Sequence, residues 1–384
     1  MITNINYNII NSTQFILIFI ILLFNNISCN NKFNYRLNNN INTLTPQLFG
    51  AIANDNLRDD KFFNKLFTFL NESPNCYTVI IPAGTYIFNE PVILPDNINC
   101  DVLYISGYGA QINLVNSNCG FIQFINRNGT IHNYRPIVKG ITLKGRSGNG
   151  IKLRGNYTPQ IDQCTFIGLD TALISLYSLN GQYQNLRFGS NNFVSFYGSY
   201  GDWTGATKSN SAFNCNYIQN CRVYGGIGQI THFEIRAGDN NTINNCISEG
   251  YSPRYNILID SENSPTVNHY INIQNSWIET QSYRNNIGST FLAFKNLRGI
   301  ARLIDIQAYP GIQNDTLLQN YNPSPNSTII LDGYRGNQNI INNYINNNYT
   351  TYNINNPEKS SQFTNPNNWV NHTLPSKIYF DRNK

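Results

Sequence analysis

Two segments, INNCISEG (243–250) and IQNSWIET (273–280), place a glutamate at the same offset, Glu249 and Glu279. Two carboxylates brought close together raise the pKa of one, which leaves an acid beside a base. Glycoside hydrolysis uses that division of labour. The related segments YQNLRFGS (183–190) and IQNCRVYG (218–225) put Arg187, Arg222 and Tyr224 at the matching offsets, and Trp277 lies in the last segment. A guanidinium can hold the carboxylate of a uronic acid through paired hydrogen bonds. Tyr224 and Trp277 offer flat apolar faces to sugar rings. Glu249 and Glu279 are therefore the candidate catalytic pair, and Arg187, Arg222, Tyr224 and Trp277 the candidate substrate-binding set. Solvated charge on an exposed strand face is the plainer explanation of the same residues.

Little else in the chain offers chemistry. His132, His232, His269 and His372 are scattered, and no Cys or His spacing suits a metal ion, so neither metal nor cofactor is expected. Asp202 and Trp203, in the long insertion SYGDWTGATKSNSAF (199–213), are further candidates for walling a cleft. The formal charge of +5 is dispersed over 26 basic residues, with no cluster of the kind that grips nucleic acid.

The two glutamates are close only if the chain brings the segments into layers. A motif recurs from VKGITLKG (138–145) through IDQCTFIG (161–168), YQNLRFGS, IQNCRVYG and INNCISEG to IQNSWIET. Its spacing varies, and its second half alternates apolar and variable residues. Alternation marks a strand with one buried face. The Asn, Gln or Gly before it suits a sharp bend, because Gly and Asn tolerate left-handed backbone angles. Stacked amides can also hydrogen-bond from turn to turn. Such repeats suit a β-solenoid with loops of variable length. A second alternating strand recurs as GIKLRG (150–155), ALISLY (172–177), HFEIRA (232–237), NILIDS (256–261) and FLAFKN (291–296). Its ends at Arg236, Asp260 and Lys295 would form a surface charge ladder. Inward, Cys164, Leu186, Cys221, Cys246 and Ser276 share one offset, which predicts buried thiols stacked at Cys221 and Cys246.

A solenoid has an open end to cover. DDKFFNKLFTFLN (59–71) spaces Phe62, Phe63, Leu66, Phe67 and Leu70 as an amphipathic helix with an acidic start. YTVIIPAGTYIF (77–88) then reads as strand, turn at Pro82–Gly84, strand. In order, LFGAIANDNLRDDKFFNKLF, VIIPAGTYIF, PVILPDNI and LYISGYGAQI resemble the N-terminal region of the pectate-lyase-like superfamily, in its rhamnogalacturonase or epimerase-like branch. With the repeats, the resemblance covers roughly residues 44 to 300. It implies an all-β fold, a right-handed parallel β-helix with an N-terminal capping helix, and sugar chains bound along an outward strand face. The Asn-Thr-Asp and Gly-His-Gly signatures of its polygalacturonase-like hydrolases are absent. Asp59-Asp60 falls at the helix cap and is not their catalytic aspartate pair.

Residues 1–29, with FILIFIILLF at 15–24, read as a secretory signal peptide. An Asn-rich linker follows at 30–43, the β-helix domain at 44–335 and an Asn-rich last turn or tail at 336–384. The mature chain is expected to be extracellular, without a stable membrane span. Eight glycosylation triplets follow the leader, at Asn71, Asn128, Asn156, Asn240, Asn314, Asn326, Asn348 and Asn371. Cys76 with Cys100, and Cys215 with Cys221, are candidate disulfides. The expected function is binding, and cleavage by hydrolysis or elimination, of an acidic extracellular polysaccharide. The alternative is a non-catalytic carbohydrate-binding, matrix or adhesin protein, and homo-oligomerisation would accord with an adhesin.

Overall fold

Short strands of alternating burial, separated by left-handed corners, wind this chain into a coil. The computed structural model describes residues 42–124, 131–207, 211–226, 229–251, 253–261, 269–280, 289–309, 316–321, 327–336 and 351–355. The expected signal peptide, nearly all of the linker and most of the C-terminal segment lie outside these residues. Among the described residues every strand pairing is parallel, and the partners are segments one coil apart. A typical coil gives one strand to each of three ladders, as Gln160–Asp162, Thr165–Ile167 and Thr171–Leu179 do. The architecture is a parallel β-helix, right-handed as strand–crossover–strand connections are.

The register follows the motif. In the first ladder Val138, Ile161, Tyr183, Ile218, Ile243 and Ile273 are successive partners. All six are buried, and the column continues through Leu303 and Leu331. In the second ladder Leu143, Phe166, Phe188, Val223, Ser248 and Ile278 point inward. Phe166 and Phe188 stack with ring centroids 5.2 Å apart. The third ladder contributes Phe121, Ile151, Leu173, Phe196, Phe233, Ile257 and Leu292. Three inward columns meet along the axis and form one continuous apolar core. The strand Thr351–Asn355 adds one more layer on Thr328–Asp332.

The corner between the first and second ladders explains the polar motif. Gly140, Gln163, Asn185, Asn220, Asn245 and Asn275 have φ of 71°, 54°, 56°, 53°, 51° and 52°. Most side chains pay for this region, and Gly and Asn pay least. The amides also chain together: Asn245 Nδ2 donates to Asn220 Oδ1 at 2.8 Å, and Asn220 Nδ2 to Asn185 Oδ1 at 3.4 Å. Asn185 Nδ2 ends the run on Asp162 Oδ1 at 2.8 Å.

The helix Asp60–Glu72 covers the first coil through Phe63, Leu66, Phe67 and Leu70, all buried. Two aspartates pin it there. Buried Asp60 accepts the backbone N–H groups of Asn89 (2.7 Å) and Glu90 (2.6 Å) through one oxygen, and Arg58 Nε (2.7 Å) through the other. Asp59 accepts Ile52 N (3.2 Å) and Ile87 N (3.0 Å). Their task is to join the cap to the first coil. In the turn of YTVIIPAGTYIF, Gly84 has φ of 135°, and a Cβ there would meet Ala53 Cβ at 2.6 Å.

Cys76 and Cys100 form a disulfide. Cys215 and Cys221 do not pair: Cys215 is exposed at a corner, whereas the Cys221 side chain points into the core. Cys221 and Cys246 are stacked, free and buried, and burial beside the second thiol pushes the Cys221 thiol well up. Arg236, Asp260 and Lys295 are partners in the third ladder. Among the glycosylation triplets, Asn71 and Asn240 are exposed. Asn156 is only 1% exposed, so the folded chain does not present it to a glycan. The other five lie outside the described residues.

Replacing Asn245 by Val puts a β-branched side chain at left-handed φ and removes its donor bond to Asn220. Asn245→Val is expected to lose about 2 kcal/mol in urea denaturation, and Asn245→Gly less than half of that.

Candidate functional site

The outward side of the second ladder carries the expected constellation in the expected register. Thr142, Thr165, Arg187, Arg222, Ile247 and Trp277 are successive partners, and Gln307 continues the column. Beside it run Lys144, Ile167, Gly189, Tyr224 and Glu249. Glu279 pairs with Tyr309 in the next coil. Neighbouring strands lie ~4.8 Å apart, so each column presents one side chain per coil at that pitch.

The side chains are not all equally engaged. Arg222 donates from both Nε (2.8 Å) and Nη2 to the same oxygen of Glu249, Oε1. The guanidinium is exposed and the carboxylate half-buried. Arg187, one coil earlier, is exposed, and its guanidinium has no hydrogen bond or ion pair among the described residues. Tyr224, in the column beside Arg222, is 46% exposed. Trp277 lies against Tyr309, with centroids 4.6 Å apart and planes 30° apart. Its indole N–H donates to Glu279 Oε2 at 3.2 Å.

The register thus sets Glu249 and Glu279 on adjacent coils, and each carboxylate is held by a different partner. Glu249 is tied to the arginine of the preceding coil. Glu279 is tied to the tryptophan of its own strand. Strand pairing between the two segments runs through Ser248↔Ile278 and stops before the glutamates. What the face offers directly is a half-open guanidinium ladder followed by an aromatic platform with a carboxylate at its edge.

Ser248 occupies an inward position where an apolar residue is expected. Its hydroxyl bonds His232 Nδ1 at 2.7 Å and accepts Asn256 Nδ2 at 2.9 Å. Ser289 Oγ donates to Asn256 Oδ1 at 3.1 Å. A small polar network therefore sits in the core under Glu249, and the serine is satisfied. Gly225 makes room for the imidazole, since a Cβ there would lie 2.4 Å from His232 Nε2.

Asp202 and Trp203 are not on this face. The start of the insertion lies over the third ladder, where Asp202 Oδ2 accepts Lys152 Nζ (3.2 Å) and Arg154 Nη2 (2.7 Å). Trp203 packs against Tyr177, 5.6 Å between centroids. Lys152 and Arg154 were open to sequence reasoning as the outward positions of GIKLRG. Tyr309 was harder to see, because its coil has Asp305 (φ 49°) at the corner in place of Asn, Gln or Gly. Among the described residues, no cluster of His, Cys, Asp and Glu could hold a metal ion.

Several solved structures are similar in fold. The chain matches the Agl-KA catalytic domain at 13% identity and TM-score 0.44, over 82% of this chain and 68% of that one. It matches the A-module of Azotobacter vinelandii mannuronan C-5 epimerase AlgE4 at 12% and 0.41, over 82% and 98%. It matches PfbA, a surface adhesin of Streptococcus pneumoniae, at 11% and 0.38, over 82% and 93%. The fold assignment rests on the strand pairing itself, and no activity is transferred from these proteins. No family profile and no curated protein matches the chain.

Burial pushes the His232 imidazole down to about 3. Below the ordinary histidine pKa of about 6.5 the unfolded chain takes up a proton that the folded chain refuses. His232 therefore contributes stability that is present above pH 6.5 and lost as pH falls toward 3. Between pH 7 and 5 this costs about 2 kcal/mol. His132, also lowered by burial, acts in the same direction. His232→Gln keeps a partner for Ser248, and urea titrations should show its pH 7-to-5 loss smaller by about that amount.

Proposed function

We propose that the protein binds an acidic extracellular polysaccharide along the outward side of the second ladder. The observation that carries this reading is the single column running from Arg187 and Arg222 to Trp277, with Tyr224, Glu279 and Tyr309 beside it. A polymer lying along the axis would meet cations first and then flat apolar surface. Exposed ion pairs contribute at most about 1 kcal/mol. The pair of Arg222 with Glu249 is held more firmly, because that carboxylate is only 18% exposed, and Arg187 stands ready without such competition. The rings at Trp277 and Tyr309 supply a preformed stacking surface for a pyranose. Secretion accords with the Cys76–Cys100 disulfide, because such bonds persist in oxidising compartments. Among the described residues no helix is long and apolar enough to cross a membrane.

Retention on immobilised acidic and neutral polysaccharides tests the proposal. Acidic polymers should be retained and neutral ones not. Arg187→Gln with Arg222→Gln should weaken retention at least tenfold, and Trp277→Ala similarly. Unchanged retention in both variants would reject this face.

A second reading is that the same face also cleaves the chain it holds, with Glu249 and Glu279 as acid and base. The register that sets the two on adjacent coils favours it. Glu279→Gln preserves an acceptor for the Trp277 indole, so it should abolish the release of reducing ends while sparing retention. Undiminished release by that variant removes the assignment. Retention by the unaltered protein, with neither new reducing ends nor unsaturated uronates, makes it a binding protein on a β-helix scaffold.

A further inference from the structure

The third ladder carries a second cluster that the second-ladder face does not use. Lys152 and Arg154 project outward from the strand Asn149–Tyr157, two residues apart on the same side. Both side chains are 19% exposed, so each has given up most of its hydration. One carboxylate oxygen, Asp202 Oδ2, serves both, and Asp202 itself is 39% exposed. Arg154 Nε is buried without any hydrogen-bond partner. Buried donors of a charged group are normally satisfied, and each one left open costs free energy. The cluster is thus short of acceptors, with two partly desolvated cations against a single anion.

The surroundings are apolar and flat. The Arg154 guanidinium lies 5.6 Å from the ring centre of Phe124. Trp203 packs against Tyr177, which takes the left-handed corner at the end of its third-ladder strand (φ 53°), as Gly155, Ala237 and Asn296 do in their coils. Gly201 is needed to let the indole fold back: a Cβ there would lie 2.1 Å from the Trp203 ring. The residue that carries the anion and the residue that carries the aromatic face are therefore consecutive, on one turn, over the same strands.

We propose that Lys152 and Arg154 form an anion-recognition site for an acidic sugar, with Asp202 as an internal stand-in that the ligand's anionic group displaces. The incoming group can engage the two cations through two or more oxygens, where Asp202 engages both through Oδ2 alone. It takes both cations in place of Asp202 and sets its ring against Trp203. Uronate carboxylate and sugar sulfate share this chemistry. The site is separate from the second-ladder face and does not depend on that reading.

Trp203 can report on it. In full-length Trp277→Phe, Trp369→Phe protein it is the only remaining tryptophan. Its emission is followed during titration with a galacturonate trimer, a galactose trimer sulfated at C6 and the neutral galactose trimer. A saturable change with an anionic trimer, and none with the neutral one, is expected, and the responding trimer identifies the group. Arg154→Gln should weaken the response at least tenfold and Lys152→Gln severalfold. Asp202→Asn should tighten it severalfold, because the competitor is gone. Arg187→Gln with Arg222→Gln should leave the titration unaltered, which separates this site from the other face. Silence toward both anionic trimers, an equal response to the neutral trimer, or full affinity in Arg154→Gln would overturn the site. Weaker binding in Asp202→Asn would overturn the stand-in role.

Discussion

Backbone hydrogen bonding between successive coils fixes everything else in this molecule. A parallel ladder tolerates no half-step: a slip of one residue would turn every inward side chain outward. Here Val138, Ile161, Tyr183, Ile218, Ile243 and Ile273 stay in one column although the segments between them differ in length. The register must therefore be reset in each coil. The left-handed corner does this, because it lies immediately between the first and second strands and is held to its neighbour by side-chain amides. Length variation is exported to the other corners, where the insertion at 199–213 is accommodated without disturbing the strands on either side.

This division explains what could be read from the amino-acid sequence. The corner needs particular residue types, and the strand after it needs alternation, so both leave a written pattern. That pattern was enough to place Arg222 beside Arg187 and Trp277 after Ile247. It was also enough to stack Cys221 on Cys246 in the core. The pattern fails where a different residue meets the same backbone demand. Asp305 takes the left-handed corner of the coil that begins at Gly299, and with it Tyr309, the partner of Trp277, went unrecognised.

Side-chain partners were less legible, for a different reason. Register says which Cα atoms are neighbours and says little about which way a long side chain turns. Glu249 and Glu279 sit at the anticipated offsets, yet one meets an arginine and the other an indole. The insertion is the same problem on a larger scale. Nothing in SYGDWTGATKSNSAF states which face it covers. Its attachment after the strand Val194–Ser199, a member of the third ladder, together with Lys152 and Arg154, directs it there.

Ser248 shows how the interior and the surface are linked. As an inward residue of a strand whose next position is Glu249, it looks like a defect in an apolar column. It is instead the anchor of a network with His232, Asn256 and Ser289, contributed by three successive coils. A hydroxyl that is fully paired costs the core little, whereas an unpaired one would be expensive. The network adds directional contacts across coils where simple apolar stacking would allow sliding. The strand that carries Glu249 is therefore fixed from beneath by hydrogen bonds and from the side by the asparagine at its corner. That double constraint gives the ion pair with Arg222 a rigid base, and it confines adaptability on this face to the exposed ends of the side chains. If the proposed polymer binds there, it would meet a fixed spacing of one residue per coil, and the backbone pitch would set selectivity before any individual side chain acts.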